Sequence, residues 1–262
     1  MLRGATDCLT ARRSPSLLRD RIRAELGRHF SNERRRLLGM AAYHAGLIFE
    51  LASLVRDGVL ALGAPDAGPA RDRAQQRARG YEHDADRLVA AVFEAVRRRP
   101  DYAVFAPLLH AADDAADELE DAGFLLALLA EAAPAPPKSG PRHKRTAGPQ
   151  PMAEPLQVLA ALALEASQEW LKALLHAAHA EDRSAAEDAD DFLVAIDRIA
   201  ALEHAADDAE RALNATAVRQ AGDFRQLHLY TAIGAKLEDA TDALQRAGRM
   251  LREHLLGEVL GG

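Results

Sequence analysis

The chain says the same thing twice. Tyr81-Glu82-His83-Asp84-Ala85-Asp86 returns 121 residues later as Leu202-Glu203-His204-Ala205-Ala206-Asp207. A second acidic signature follows each copy. Asp113-Asp114-Ala115-Ala116-Asp117 precedes Ala122-Gly123, and 125 residues on Glu238-Asp239-Ala240-Thr241-Asp242 precedes Ala247-Gly248 at the same spacing. The two offsets differ by four residues, about one helical turn, so a helix keeps its phase across the difference. A chain with two like halves is expected to fold into two like units that each present the same face.

Composition says what those units are made of. Ala, Leu, Arg, Glu and Asp dominate, aromatic residues reach only 5% and β-branched residues are sparse. Such a chain favours helices packed through Ala and Leu over any sheet. The 262 residues suffice for one large domain or two of roughly 100–130 residues. A net charge of −7 argues against a general nucleic-acid binder. Cys8 is the single cysteine, which excludes an intramolecular disulfide and a cysteine-based zinc site. No uninterrupted apolar stretch approaches the length of a membrane span, the best being Phe124 to Ala130. Arg12, Arg13, Arg19, Arg21 and Arg23 stand where a signal peptide would need its apolar core. A soluble, cytoplasmic protein is the expectation.

Breakers and caps divide the chain into an expected all-α fold of two antiparallel three-helix bundles related by internal duplication. Residues 1–32 form an Arg-rich extension with one amphipathic helix, Pro15 to Phe30, whose Leu17, Leu18, Ile22 and Leu26 recur at helical spacing. It docks on the body or, through its arginine face, meets an anionic membrane surface. The first bundle, 33–131, holds helices from Glu33 to Leu62, Asp72 to Arg98, and Asp101 to Glu131. Pro107 requires that the third either kinks or starts nearer Ala106. Residues 132–153 are a Pro-rich basic linker read as a solvated tether. The second bundle, 154–257, holds helices from Glu154 to Glu181, from a Ser184/Glu187 capping box to Gln220, and from Asp223 to Leu256-Gly257.

The acid pairs carry the candidate chemistry. Residues i and i+4 of a helix point the same way, so each signature puts two carboxylates on one face. Between antiparallel neighbours, Glu82 and Asp86 face Asp113 and Asp117, while Glu203 and Asp207 face Glu238 and Asp242. Four convergent carboxylates repel unless a cation sits between them, and iron, manganese, zinc or magnesium would answer. With 40 acidic residues in 262, chance alone supplies several i,i+4 pairs, so no single pair has weight. The repeated order of two pairs per half is what exceeds chance.

Other features have plainer readings. His83 and His204 follow the first acid of each copy and read as exposed or boundary residues, with a second-shell role as the alternative. His176 and His179 have no counterpart in the first half. None of the ten histidines has a Glu three residues before it, against a ferritin-like di-iron site. No phosphate-cradling loop, nucleophile elbow or activated nucleophile is present, so no enzyme is expected. Trp170 reads as a core filler, the two Ala-Gly pairs as close-packing points, and Leu125 to Leu129 as a buried helix end.

Glu-His-x-Ala-Asp followed by an acidic Asp-x-x-Asp element, both twice, resembles the PhoU-like phosphate-transport regulators. It is most similar to the branch associated with Pit-type phosphate transporters, over roughly residues 33–132 and 153–256. The resemblance implies two three-helix bundles whose motifs bind divalent or trivalent metal ions in multinuclear clusters. The implied ligands are Glu82, Asp86, Asp113 and Asp117, then Glu203, Asp207, Glu238 and Asp242. In the first half the register Asp117/Asp121 stands beside Asp113/Asp117. The implied role is regulation of phosphate uptake by docking on a transporter or a phosphate-responsive sensor kinase, at the inner face of the membrane or free of it. Homo-oligomerisation is left open. The alternatives are a metal-dependent hydrolase of phosphate esters or anhydrides, and a metal-free helical interaction module.

Overall fold

The computed structural model describes residues 15–62, 68–131, 152–179 and 185–261. They form six helices: α1 (Pro15–Leu60), α2 (Gly68–Arg97), α3 (Phe105–Glu131), α4 (Ala153–His179), α5 (Ala185–Gln220) and α6 (Phe224–Gly261). A single 3-10 turn, Pro100–Tyr102, stands between α2 and α3, and no strand occurs among the described residues. By its contacts the chain divides into a short unit, Met1–Leu37, and a long one, Leu38–Gly262. The long unit holds the second half of α1, from Leu38 on, and all of α2 to α6.

Local chemistry explains most boundaries. Arg99, preceding Pro100, adopts φ −143° and ψ 80°, as the clash with a proline ring demands, and that ends α2. Asp101 belongs to the 3-10 turn and does not cap α3, which starts at Phe105. Pro107 thus falls in the first turn of α3, where its missing N–H leaves no bond unmade. Asp223 Oδ1 accepts a hydrogen bond from Gln226 N at 2.8 Å, and Gln226 Oε1 accepts one from Gly222 N at 3.1 Å. This reciprocal cap opens α6 where the sequence placed it. The separate helices expected at Pro15 to Phe30 and from Glu33 are one continuous α1. Ser31 and Asn32 are poor helix residues but not breakers, since neither lacks an N–H nor a Cβ. Residue Ser184 of the expected capping box and linker residues 132–151 lie outside the described residues.

Within the long unit α1, α2 and α3 pack in an up-down-up order. Glu50 of α1 meets Arg77 of α2, and Arg79 of α2 meets Glu120 of α3. A Cβ added at Gly58 would touch Leu126, and one at Gly123 would touch Val55. Helices α4, α5 and α6 pack on one another in the same way, with α5 and α6 antiparallel through Asp197–Arg252 and Glu203–Gln245. Helix α3 also runs antiparallel along α6. Lys236 pairs with Glu118 and Asp121, Arg246 reaches Asp114, and Phe105 meets His254 edge-on.

The buried positions recur. His44, Ala45, Ile48, Leu51 and Val55 of α1 are buried, and so are Ala166, Ser167, Trp170, Ala173 and Ala177 of α4, each 122 residues on. Ala78, Ala85, Val92 and Val96 of α2 match Ile199, Ala206, Leu213 and Ala217 of α5 at 121. Phe105, Leu108, Ala115, Leu119 and Leu126 of α3 match Tyr230, Ile233, Ala240, Leu244 and Leu251 of α6 at 125. Trp170 is fully buried and fills the core, a burial worth about 3 kcal/mol for a side chain this size. At the late α3 end Leu126 and Leu129 are buried, whereas Phe124 and Leu128 face outward, so the expected buried apolar run is one-sided.

The stretch Glu33–Leu60 of α1 is long and apolar enough by composition to cross a membrane, with a mean hydropathy of 1.5 in its best window. Counting uninterrupted apolar residues overlooked it, because a few polar residues punctuate the stretch. Half of that window is buried inside the fold, as in the core helix of a bundle.

Candidate functional site

Each acid pair lies on one face of its helix, because a spacing of four is close to one turn. In the first half, antiparallel packing of α2 and α3 brings Glu82 and Asp86 opposite Asp113 and Asp117. Asp113 is buried, Glu82 is half-buried, and Asp86 and Asp117 are exposed at the rim. Loss of surrounding water raises the Glu82 carboxyl, and the charges of Asp86, Glu120 and Asp113 raise it further. Desolvation likewise lifts Asp117 to about 6, with Asp113, Asp86, Glu82 and Asp114 adding to the effect. Asp117 sits on an open face, so the repulsion from its four acidic neighbours is the more telling cause.

Asp121, the alternative first-half position, is turned elsewhere. Its Oδ2 lies 2.8 Å from Lys236 Nζ on α6. The charge of Asp113 acts on Glu82, and those of Asp86 and Glu82 act on Asp117.

Sequence reasoning missed His44. It is fully buried on α1, and its Nε2 lies 2.9 Å from Asp113 Oδ1. An ionised carboxylate only accepts, so Nε2 carries the hydrogen. The Nδ1 atom is buried and has no hydrogen-bond partner among the described residues. A lone histidine 69 residues before an aspartate gives no local signal; only the tertiary register of α1 on α3 unites them.

The second half brings its acids together differently. Burial raises Glu238 to about 7, and Asp239, Asp242, Glu210 and Asp207 repel its charge as well. Glu210 is an acid the motif did not include. Asp207 Oδ2 accepts from Arg211 at 2.6 Å, and Asp242 accepts from Arg246. Glu203 Oε2 accepts from Gln245 Nε2 at 2.8 Å, with His204 Nδ1 also 2.8 Å away. His83 and His204 are both exposed, as a boundary reading requires.

Between α3 and α6 lies a recess of about 190 Å³ lined by Asp114, Asp117, Glu118, Asp239 and Arg246. It is polar and open, without the apolar walls that hold an organic substrate.

The donors are oxygens throughout, the chemistry of a hard or borderline cation. No three or more histidine, cysteine or acidic side chains among the described residues close on a common point as a preformed ion cage. The carboxylates share a face and repel across it. Compared with models of known protein families and with curated protein sequences, the chain matches none.

Proposed function

We propose that this chain is a PhoU-like regulator of inorganic phosphate transport, built from two duplicated three-helix bundles that bind metal ions through their paired acids. The observation that carries the reading is the juxtaposition on α2 and α3: Glu82 and Asp86 against Asp113 and Asp117, with Glu82 and Asp117 raised by lost hydration and by the charges of acidic neighbours. A cation on that face removes the repulsion and contributes its binding energy to the fold, stiffening the bundle. The matching burial at offsets of 121, 122 and 125 residues supports duplication, since chance would not keep three helices in step. Iron, manganese or zinc suits the donors. The protein docks on a Pit-type transporter or a phosphate-responsive sensor kinase at the cytoplasmic side, and the metal-stiffened bundles fix the docking face. It performs no chemistry of its own.

The test is elemental analysis of untagged protein purified without chelator, beside Glu82→Ala/Asp86→Ala. Stoichiometric metal that falls in the variant supports the cation site. Phosphate uptake in cells with and without the chain supplies the second arm. An uptake rate and phosphate response that ignore the chain would remove the transport role.

A further inference from the structure

Helices α1, α2 and α3 enclose an apolar recess of about 50 Å³. Its apolar walls include Val55 and Gly58 of α1, Ala78 of α2, and Gly123 and Leu126 of α3. Val55, Ala78 and Leu126 are buried. Two polar side chains of α2 line it as well, Arg71 and Gln75, half-buried and about one turn apart.

The matching places of the second half hold larger apolar side chains. On α5, 121 residues on, Arg71, Gln75 and Ala78 correspond to Phe192, Ile196 and Ile199, all of them buried. Gly123 of α3 corresponds to Gly248 of α6, 125 residues on. A Cβ added at Gly248 would lie 3.3 Å from Ile196 and 3.9 Å from Ile199, so those isoleucines occupy the space over that glycine. A Cβ added at Gly123 would meet Val55 at 3.9 Å and no other described residue within 4 Å. Val55 stands where the second half has Ala177, and its larger side chain refills part of the space from the α1 side. Three apolar fillers are thus replaced by an arginine, an amide and an alanine. Packing alone gives no reason for that exchange, since a void forfeits the contacts of its lining.

The polar groups at the recess are also uncommitted. Farther along α2, Arg77 reaches Glu50 and Arg79 reaches Glu120. Arg71 and Gln75 make no hydrogen bond or ion pair with a described residue. Asp72 is next in sequence and exposed, and neighbouring positions on a helix do not face each other. Arg71 stands in the first turn of α2, which holds no acid, and a helix N-terminus favours negative charge nearby. The recess therefore joins apolar walls to one free guanidinium and one free amide, the composition of a site for a small anion with an apolar tail.

We propose that this recess binds a short aliphatic carboxylate, its chain among Val55, Ala78 and Leu126 and its carboxylate on Arg71, with the Gln75 amide as a further donor. The proposal does not rest on the metal or transport reading. Size sets the chain length. On the scale by which an apolar cavity of about 150 Å³ takes a benzene ring, a recess of about 50 Å³ takes two or three carbons, the tail of propionate or butyrate. Charge sets the head group. One guanidinium balances one negative charge, and its fork matches the two oxygens of a carboxylate. A ligand with so few atoms binds in the millimolar range.

The test is a titration of the full chain with sodium butyrate at constant ionic strength, followed through the methyl resonances of Val55 and Leu126. Those methyls should shift with a Kd of about 1–10 mM. Each methylene added from acetate through propionate to butyrate should tighten binding about fourfold, and hexanoate should bind no more tightly than butyrate. Arg71→Gln should weaken butyrate about tenfold. Gln75→Ile/Ala78→Ile gives the first half two of the fillers of the second and should abolish the shifts while the variant still melts cooperatively. Should that variant fail to fold, Arg71→Gln decides, because its site is half-buried and unpaired. Acetate binding as tightly as butyrate would mean a charge contact without the recess and would overturn the proposal. So would shifts that survive in the folded isoleucine variant or in Arg71→Gln, and so would their absence at about 50 mM butyrate.

Discussion

His44 and Asp113 form a buried pair, Nε2 to Oδ1 at 2.9 Å, that ties α1 to α3 beneath the first acid cluster. Taking His44 to Ala would leave the Asp113 carboxylate, 8% exposed, without its donor, at a cost of about 3 kcal/mol. The same change in an Asp113→Ala background should cost much less, because the stranded charge is gone. A double-mutant cycle by urea unfolding measures that coupling. Additive effects would mean that His44 contributes packing alone.

Stability without metal should fall as pH rises. Asp117 is lifted from 3.8 to about 6 and Glu238 from 4.5 to about 7. In both cases the folded state binds its proton more tightly than the unfolded chain does. The resulting cost is absent below about pH 4, grows as pH rises from there to between 6 and 7, and is full above that. Metal-stripped protein should therefore melt higher at pH 5.5 than at pH 8, with a flatter profile in Asp117→Asn/Glu238→Gln. A profile unchanged by the double substitution would show that neither carboxyl is repelled.

The glycines separate into loose and tight. A Cβ at Gly123 would lie 3.9 Å from Val55, an ordinary contact, whereas at Gly234 it would lie 2.8 Å from the buried Leu213. Gly123→Ala should stabilise by up to about 1 kcal/mol through helix propensity. Gly234→Ala must push Leu213 aside and should destabilise by about 1–3 kcal/mol. Thermal melts of the two single variants check the contrast, and equal shifts would place the close approach elsewhere.

Lys236 holds Glu118 at 2.6 Å and Asp121 at 2.8 Å across the α3–α6 contact. Those two bonds push its ammonium well above the usual lysine range. Lys236→Met should cost about 1 kcal/mol at low salt, and less in 0.5 M NaCl, where screening weakens the pairs in the parent too. Chemical denaturation at the two ionic strengths tests it; a salt-independent loss would point to packing of the lysine stem.

Much of this was legible in the sequence, for physical reasons. Helices end where proline or a cap forces the issue, so Arg99-Pro100 and Asp223 marked boundaries that the structure keeps. Period and spacing put each acid pair on one face, and repetition pointed to the faces worth pairing. Asp101 misled because its cap chemistry also suits a 3-10 turn, and Pro107 settled the start of α3 two residues inside it. His44 was out of reach, since its meaning depends on a partner 69 residues away. Arg211 and Arg246 were hidden for another reason. A motif search asks what two copies share, and these arginines have no counterpart at the matching first-half places, Ala90 and Asp121.

The antiparallel run of α3 along α6 sets each helix against the segment that matches it in the other half, through Glu118 and Asp121 to Lys236 and Asp114 to Arg246. A half-length chain carrying only one such helix would have to seek that partner in solution, at a rate set by its concentration. Here both surfaces arrive on one polypeptide, so their meeting is first-order and indifferent to dilution. It also admits what identical copies would not: a lysine on one side and acids on the other, so the contact has a sense of direction.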